Sequence, residues 1–354
     1  MKNITIATHS APFHADDLVA TALLIRYFSS LNHPVQIIHT RDQNTIKNAD
    51  AVVDVGREHN PQTLRFDHHQ IKESAKAASG LVADFLESLP TFEWIQSLRE
   101  SLKKIDRADL GKIKNPEDTQ IARALGVFNT TWKETEKDPT TAFFEALQVV
   151  NQTLDLAQNL QIESPTKSLS ELFEKSLFEH PAVVARQNQS LEMQKEGEEL
   201  FLQAAEQMAQ QKKPTGIVET IGGIPFAPLF KEENLKNQTP LRQAALKRTH
   251  YITFRGLQGG FNAVAAASPE DSFKPKHPFP ERWRGKGGQD LLNAISLSTG
   301  KSLNPCPPES SNLYFCHPGG FFLTTPEKDS FETALKYCTE IPQRKEKTQT
   351  QERL

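Results

Sequence analysis

Cysteine is scarce in this chain of 354 residues: only Cys306, Cys316 and Cys338 occur, an odd set without metal-type spacing. That excludes a disulfide framework and a thiolate zinc finger, and it fits a reducing compartment. There is also no run of about 18 apolar residues of the kind that spans a membrane. The opening residues Met1-Lys2-Asn3-Ile4-Thr5-Ile6 show neither the apolar core of a signal peptide nor an Arg-rich transit segment. These absences lead to the expectation of a soluble, cytoplasmic protein with no membrane partner. An excess of one charge is lacking too. The formal net charge is −3, so composition argues neither for nor against nucleic acid as a partner.

What is present suffices for packed lobes, in a chain long enough for two domains at about 150 residues each. Residues 2–8 alternate and are β-branched, which predicts a strand. After the loop from His9 to Asp16, Asp16 or Asp17 caps a helix running from Leu18 to about Leu31. Strands follow at 35–39 and 51–55, and Thr63-Leu64-Arg65-Phe66 reads as another. This is the rhythm of a parallel α/β sheet, and such sheets gather ligands beyond the carboxyl ends of their strands.

From about 79 to 211 the pattern is helical, broken by Pro90, Pro116, Pro139, Pro165 and Pro181. After Lys212-Lys213-Pro214-Thr215-Gly216, strand-like runs return at 217–221, 250–255, 312–316 and 320–324, with helices at 287–298 and 326–338. The expected α/β organisation is therefore a metal-binding parallel-sheet domain over 1–150, a helical connector over 151–213 and a smaller α/β domain over 214–340. A disordered tail over 341–354 completes it.

His9, His14, Asp16, Asp54, Asp67, His68 and His69 all fall at the predicted sheet edge. Each alone has a plain reading. Asp54 suits a turn, His9 a backbone contact at a strand end, His14 and Asp16 a helix cap. Together they form a dense carboxylate and imidazole set that suits Mn²⁺, Fe²⁺ or Zn²⁺ better than Ca²⁺. Seven groups exceed one four-coordinate site, whereas two metals sharing a carboxylate would use them. Such a pair activates water and neutralises a phosphoryl transition state. Asp67 reads as a support that orients its histidine neighbour.

The arrangement resembles the DHH phosphoesterase superfamily, and more closely the melanocyte-proliferating-gene (MYG) exonuclease family. The resemblance is carried by Thr8-His9, Phe13-His14-x-Asp16-Asp17, Thr40-Arg41-Asp42, Val52-Val53-Asp54-Val55-Gly56 and Phe66-Asp67-His68-His69-Gln70. Ser79-Gly80-Leu81-Val82, Ile105-Asp106-x-x-Asp109-x-Gly111, Asn129-x-Thr131-Trp132, Trp283-Arg284-Gly285 and His317-x-x-Gly320-Phe321 extend it over nearly the whole chain. It implies a DHH-type fold and two divalent ions, Mn²⁺ foremost, with Mg²⁺, Co²⁺ or Zn²⁺ as alternatives. His9, His14 and Asp54 would hold one ion. Asp16, Asp54, His68 and Asp106 would hold the other, with Asp54 bridging and Asp109 the rival for the place of Asp106. His69 would contact the scissile phosphate, acting with Asp54 as the catalytic pair.

Between residues 240 and 302 stand ten Lys/Arg against four Asp/Glu, interleaved with aromatic residues. Such a pattern either grips phosphates and bases or is a solvated face over core aromatics. Arg41, Arg284, His317, Gly319 and Gly320 are the candidate substrate contacts. The two glycines read either as a phosphate cradle or as a plain hairpin turn. Departures from the family pattern at Ala11, Lys286-Gly287-Gly288 and Leu323-Thr324-Thr325 bear on substrate preference. The expected activity is 3′–5′ hydrolysis of phosphodiester bonds in RNA or DNA ends or short oligonucleotides, with a homodimer left open. The alternatives are hydrolysis of a small phosphorylated compound and a non-catalytic, metal-bound RNA-binding protein.

Overall fold

The computed structural model describes residues 2–351 except 10–11, 132, 135, 213–214, 223, 225, 257–259, 272–273 and 308–312, and leaves aside the side chains of 341–351. Ala11, Trp132, Asn312, Lys213-Pro214 and 352–354, which figure in the sequence reading, lie outside the described residues. The chain divides into two compact units, Met1–Leu191 and Glu192–Leu354.

The first unit opens β1 (Ile4–Thr8), α1 (Ala15–Ser30), β2 (Val35–His39), α2 (Gln43–Asn48), β3 (Ala51–Val53), β4 (His59–Asn60) and β5 (Arg65–Phe66). Its sheet has the order β2-β1-β3-β5-β4. β2, β1, β3 and β5 run parallel, and only β4 is antiparallel to its neighbour. Side chains alternate across the pleat. Ile4, Ile6, Val53 and Phe66 join the main core, while Ala7 and Val52 pack with Ile46 and Ala49 on the opposite face. Helices follow as α3 (Ala78–Glu87), α4 (Ile95–Asp109), α5 (Gln120–Gly126), α6 (Pro139–Glu163), α7 (Leu169–Phe178) and α8 (Pro181–Ala209).

One detail of register positions the site. Thr8 pairs with Val53, and Val53 pairs with Phe66. The residues that follow, His9, Asp54 and Asp67, therefore leave the sheet side by side at its carboxyl edge.

The boundary between units falls inside α8, not at either end of the stretch expected to be a connector. Leu154, Ala157, Leu172, Phe173 and Leu177 of α6 and α7 belong to the first unit's core. A helix that buries one apolar stripe this thoroughly is part of a domain rather than a spacer.

The second unit holds β6 (Ile217–Glu219), α9 (Glu232–Lys236), α10 (Pro240–Arg248), β7 (Tyr251–Arg255), β8 (Phe261–Ala265), α11 (Gly288–Thr299), β9 (Phe315–Cys316), β10 (Phe322–Thr325) and α12 (Lys328–Gln351). Its sheet order is β6-β7-β8-β10-β9, parallel only between β6 and β7. Ile252 and Val218 face Phe201, Ala205 and Met208 of α8, and Tyr251, Ala263 and Leu323 face α11 and α12. The segment expected as a tail is helical as far as Gln351, in keeping with its many Lys, Glu and Gln residues. No helix among the described residues is long and apolar enough to cross a membrane.

Candidate metal centre

Thr8 ends β1 and delivers His9, a buried imidazole whose Nε2 stands 3.1 Å from Asp17 Oδ2 and 3.5 Å from Asp54 Oδ2. The other oxygen of Asp17 accepts a hydrogen bond from the His14 backbone N–H at 2.9 Å. One buried carboxylate thus aims His9 and fixes the backbone that presents His14. The His14-x-x-Asp17 spacing is that of a capping box at a helix start, which is how α1 begins. In the sequence Asp17 reads as a cap alone, and its link to His9 is not legible there.

Asp54 follows β3 with φ +53°, and Gly56 and Arg57 continue at positive φ. Aspartate tolerates this left-handed conformation better than most residues, and the turn holds its carboxylate at the centre of the cluster. Asp54 Oδ1 is 3.2 Å from His68 Nε2. His68 Nε2 also lies 3.1 Å from Asp109 Oδ2, and Asp109 Oδ1 lies 3.6 Å from His14 Nδ1. Three convergent groups result: His9, His14 and Asp54; Asp54, His68 and His69; His14, Asp16 and Asp109. Within each, the ligand atoms lie within 4.8 Å of one another.

The donor chemistry fits divalent cations. Asp16, Asp17 and Asp54 are buried. Burial raises the Asp16 carboxyl well above its usual range, and the charges of Asp54, Asp109 and Asp17 raise it further. Burial also raises Asp54, against the pull of His68 and His9. At His68 burial pulls the other way, but the facing carboxylates of Asp109 and Asp54 outweigh it and lift the imidazole to about 10. Carboxylates crowded in this way are stabilised by neighbouring positive charge. A cation would take the place of the His68 proton.

His69 is set apart. Its backbone N–H donates to Asp67 Oδ1 at 2.8 Å, and its Nδ1 meets the same oxygen at 2.8 Å. Asp67 Oδ2 accepts from the Arg57 N–H at 2.7 Å. The hydrogen bond to Asp67 raises the His69 pKa, and about half of this side chain is exposed. Asp67 is therefore the support expected of it, holding His69 through Nδ1–H, so that Nε2 is a donor only in the protonated ring.

Asp106, expected as a ligand of the second ion, is engaged at the start of α3. Its Oδ1 accepts from the backbone N–H of Ala77 and Gly80 and from the Ser79 hydroxyl, each at 3.1 Å. Ala77, the N-cap of α3, has no side-chain oxygen to do this. Asp106 supplies the missing cap from α4, and no group of convergent ligands among the described residues includes it. Asp109, one turn further on the same helix face, joins His14, Asp16 and His68 instead. Asp16 Oδ2 shares the capping task, accepting from the Ala78 N–H at 3.3 Å.

Gly80 is explained by the same contact, because a Cβ there would stand 2.9 Å from Asp106 Cγ. Gly80→Ala is expected to expel the Asp106 carboxylate and destabilise the fold by about 1–3 kcal/mol. Chemical denaturation reads this directly. An unchanged midpoint would mean that the cap is dispensable.

Elsewhere, Arg41 is an exposed residue just beyond β2. In the second unit Gly319 and Gly320 form the turn between β9 and β10. The Gly319 N–H donates to His317 Nδ1 at 3.0 Å and the Gly320 N–H to the His317 carbonyl at 2.8 Å. Both donors are engaged within the turn, the contacts of the hairpin reading of these glycines. Gly320, at φ +68°, serves another end: a Cβ there would meet Arg284 Nε at 2.7 Å.

Residues 5–82 match the MYG1_exonuc family model, described as an uncharacterised protein family (UPF0160). A "MYG1 protein" of Dictyostelium discoideum is 26% identical, with 82% of this chain and 87% of the relative aligned. A "MYG1 protein" of Chlamydia trachomatis is 24% identical over 94% and 95% of the two chains, and a "MYG1 exonuclease" of Mus musculus 23% identical over 79% and 73%. Among solved structures, RecJ of Thermus thermophilus in complex with Mn²⁺ aligns at 13% identity and a TM-score of 0.35. That alignment covers 95% of this chain, which spans about half the length of that RecJ, 51%.

Proposed function

We propose, for a chain that belongs to the MYG1 family through its residues 5–82, that the first unit is a two-metal phosphoesterase removing nucleotides from the 3′ ends of RNA or DNA. The observation that carries this reading is the central place of Asp54, which faces His9 through one oxygen and His68 through the other. His9, His14 and Asp54 would hold one cation; Asp16, Asp54, His68 and Asp109 would hold its partner. Mixed imidazole and carboxylate donors suit Mn²⁺, with Zn²⁺ and Co²⁺ as competitors. When bound, such a pair activates water and neutralises charge on phosphoryl oxygens.

The chain's own residues do the rest. Asp17 orients His9, and Asp67 holds Nδ1–H of His69 and favours its protonated ring, whose Nε2–H can then donate to a phosphate or leaving oxygen. Exonuclease is the word attached to several relatives, and it is the reading taken for this chain. A cytoplasmic setting is part of the proposal, resting on the scarcity and odd number of the cysteines, Cys306, Cys316 and Cys338.

The test is a screen of Mn²⁺, Mg²⁺, Co²⁺ and Zn²⁺ against 5′-labelled single strands of RNA and DNA, with small phosphodiesters alongside. A Mn²⁺-dependent ladder shortening from the 3′ end is expected. Turnover confined to the small compounds would overturn the polymer reading, and no turnover with any metal would overturn the enzymatic one.

A further inference from the structure

His14 differs from the other imidazoles of the cluster in what holds it. His9 and His68 are buried, whereas the His14 side chain is 57% exposed. A cavity of about 320 Å³ opens beside it, against Asp16, Asp109 and Asn129. Packing therefore does little to fix this ring, although it belongs to two of the three convergent ligand groups. Its place depends on the backbone that carries it.

That backbone is gripped twice. From within α1, Asp17 Oδ1 accepts the His14 N–H at 2.9 Å. From 116 residues away, Asn129 Oδ1 accepts the Phe13 N–H at 3.0 Å, and Asn129 Nδ2 donates to the Phe13 carbonyl at 2.9 Å. One partner matching both the N–H and the carbonyl of a residue is the pairing that antiparallel strands make. Here a side-chain amide supplies it. Only one orientation of the amide satisfies both bonds, and both of its polar atoms are engaged on Phe13. The Phe13 ring completes the anchor, buried and edge-on to Phe143 at 5.5 Å between centroids.

Asn129 is itself fixed. It follows Phe128, a buried residue of the first unit's core, and its N–H donates to the Gly126 carbonyl at 3.1 Å. Two residues on, the N–H and the hydroxyl of Thr131 both donate to Glu134 Oε2, at 3.2 and 3.0 Å. The other Glu134 oxygen accepts from Arg186 on α8 at 2.6 Å. The loop that carries the amide is thus tied to a helix by a half-buried ion pair.

We propose that Asn129 is a positioning residue of the metal centre, holding the Phe13–His14 backbone so that the His14 imidazole converges on a cation with His9 and Asp54. This role rests on the two-metal reading above and adds to it a residue that offers no ligand atom. Loss of a polar group that orients a ligand typically weakens metal binding by about tenfold to a hundredfold.

The test reads metal binding rather than turnover. Calorimetric titration of the full-length chain with Mn²⁺ is expected to show binding about tenfold weaker, or worse, in Asn129→Ala. That loss should vanish in a chain already lacking the imidazole: His14→Ala and the double variant His14→Ala, Asn129→Ala should bind Mn²⁺ alike. A residue acting through His14 gives such non-additivity, whereas general damage to the fold adds to the loss of the ligand. Denaturation with a chelator present checks that each variant is folded. Where alanine unfolds the chain, Asn129→Asp takes its place with the same loss expected. It still accepts from the Phe13 N–H but sets an oxygen against the Phe13 carbonyl.

Equal affinity in Asn129→Ala and the parent, or additive losses in the double variant, would overturn the inference and leave the proposed function in place. Non-additive loss of Mn²⁺ in a chain that cleaves no phosphodiester with any metal would uphold the inference and end the proposed function instead.

Discussion

Asparagine in place of Asp54 is expected to lower Mn²⁺-dependent hydrolysis by about 10³-fold or more, the scale seen when a centrally placed electrostatic group is removed. Asparagine also tolerates positive φ, so the backbone at +53° is not the part being tested. Metal-free stability should not fall. Burial raises the Asp54 pKa in the folded state. A group raised in this way stabilises the fold only while protonated, and that contribution is lost as pH rises through the folded pKa. At neutral pH the carboxylate is therefore a burden that the neutral amide does not carry. Denaturation of both chains with a chelator present should show the variant at least as stable as the parent. Activity near the parent's would remove Asp54 from the mechanism.

The second large effect separates two aspartates on one helix face. Asp109→Asn is expected to weaken metal binding and activity by about 10–100-fold or more, because it withdraws a carboxylate from His68, His14 and Asp16. Asp106→Asn should leave metal content intact, since an amide oxygen can still accept from Ala77, Ser79 and Gly80. Its mark is on stability against pH instead. Burial lifts the Asp106 carboxyl to about 6, although its three donors lower it. The sign follows: its contribution is complete below about 4 and is lost as pH rises through about 6. The shift corresponds to about 3 kcal/mol at most. Denaturation midpoints at pH 4.5 and 7.5 should converge in Asp106→Asn relative to the parent. Loss of metal from Asp106→Asn with retention in Asp109→Asn would reverse the assignment.

The sheet edge was legible in the sequence because strand periodicity and turn residues place His9, Asp54 and Asp67-His68-His69 independently of tertiary contacts. Asp106 and Asp109 were not separable in that way. They lie three residues apart on one helix, and what divides them is where the N-terminus of α3 falls, a long-range fact. Gly80 carried the signal, since a glycine at the start of a helix invites close approach by another group. β8 is not legible in the sequence for a different reason. Phe-Asn-Ala-Val-Ala is a weak strand former on its own, and its pairing with β7 and β10 on either side supplies what propensity does not. The two glycines before Phe321 illustrate the limit of composition: the same residues serve a turn or a cradle, and only the partners of their N–H groups decide. The Arg284 contact with Gly320 has the same character, joining residues 36 positions apart.

The central claim, two cations sharing Asp54, is tested most directly by low-temperature EPR of the Mn²⁺-loaded chain alongside its metal content. The account predicts two Mn²⁺ per chain with the spin-coupled signal of a bridged pair, and loss of that coupling in Asp54→Asn. One Mn²⁺ per chain, or two giving only uncoupled signals in the parent, would contradict it.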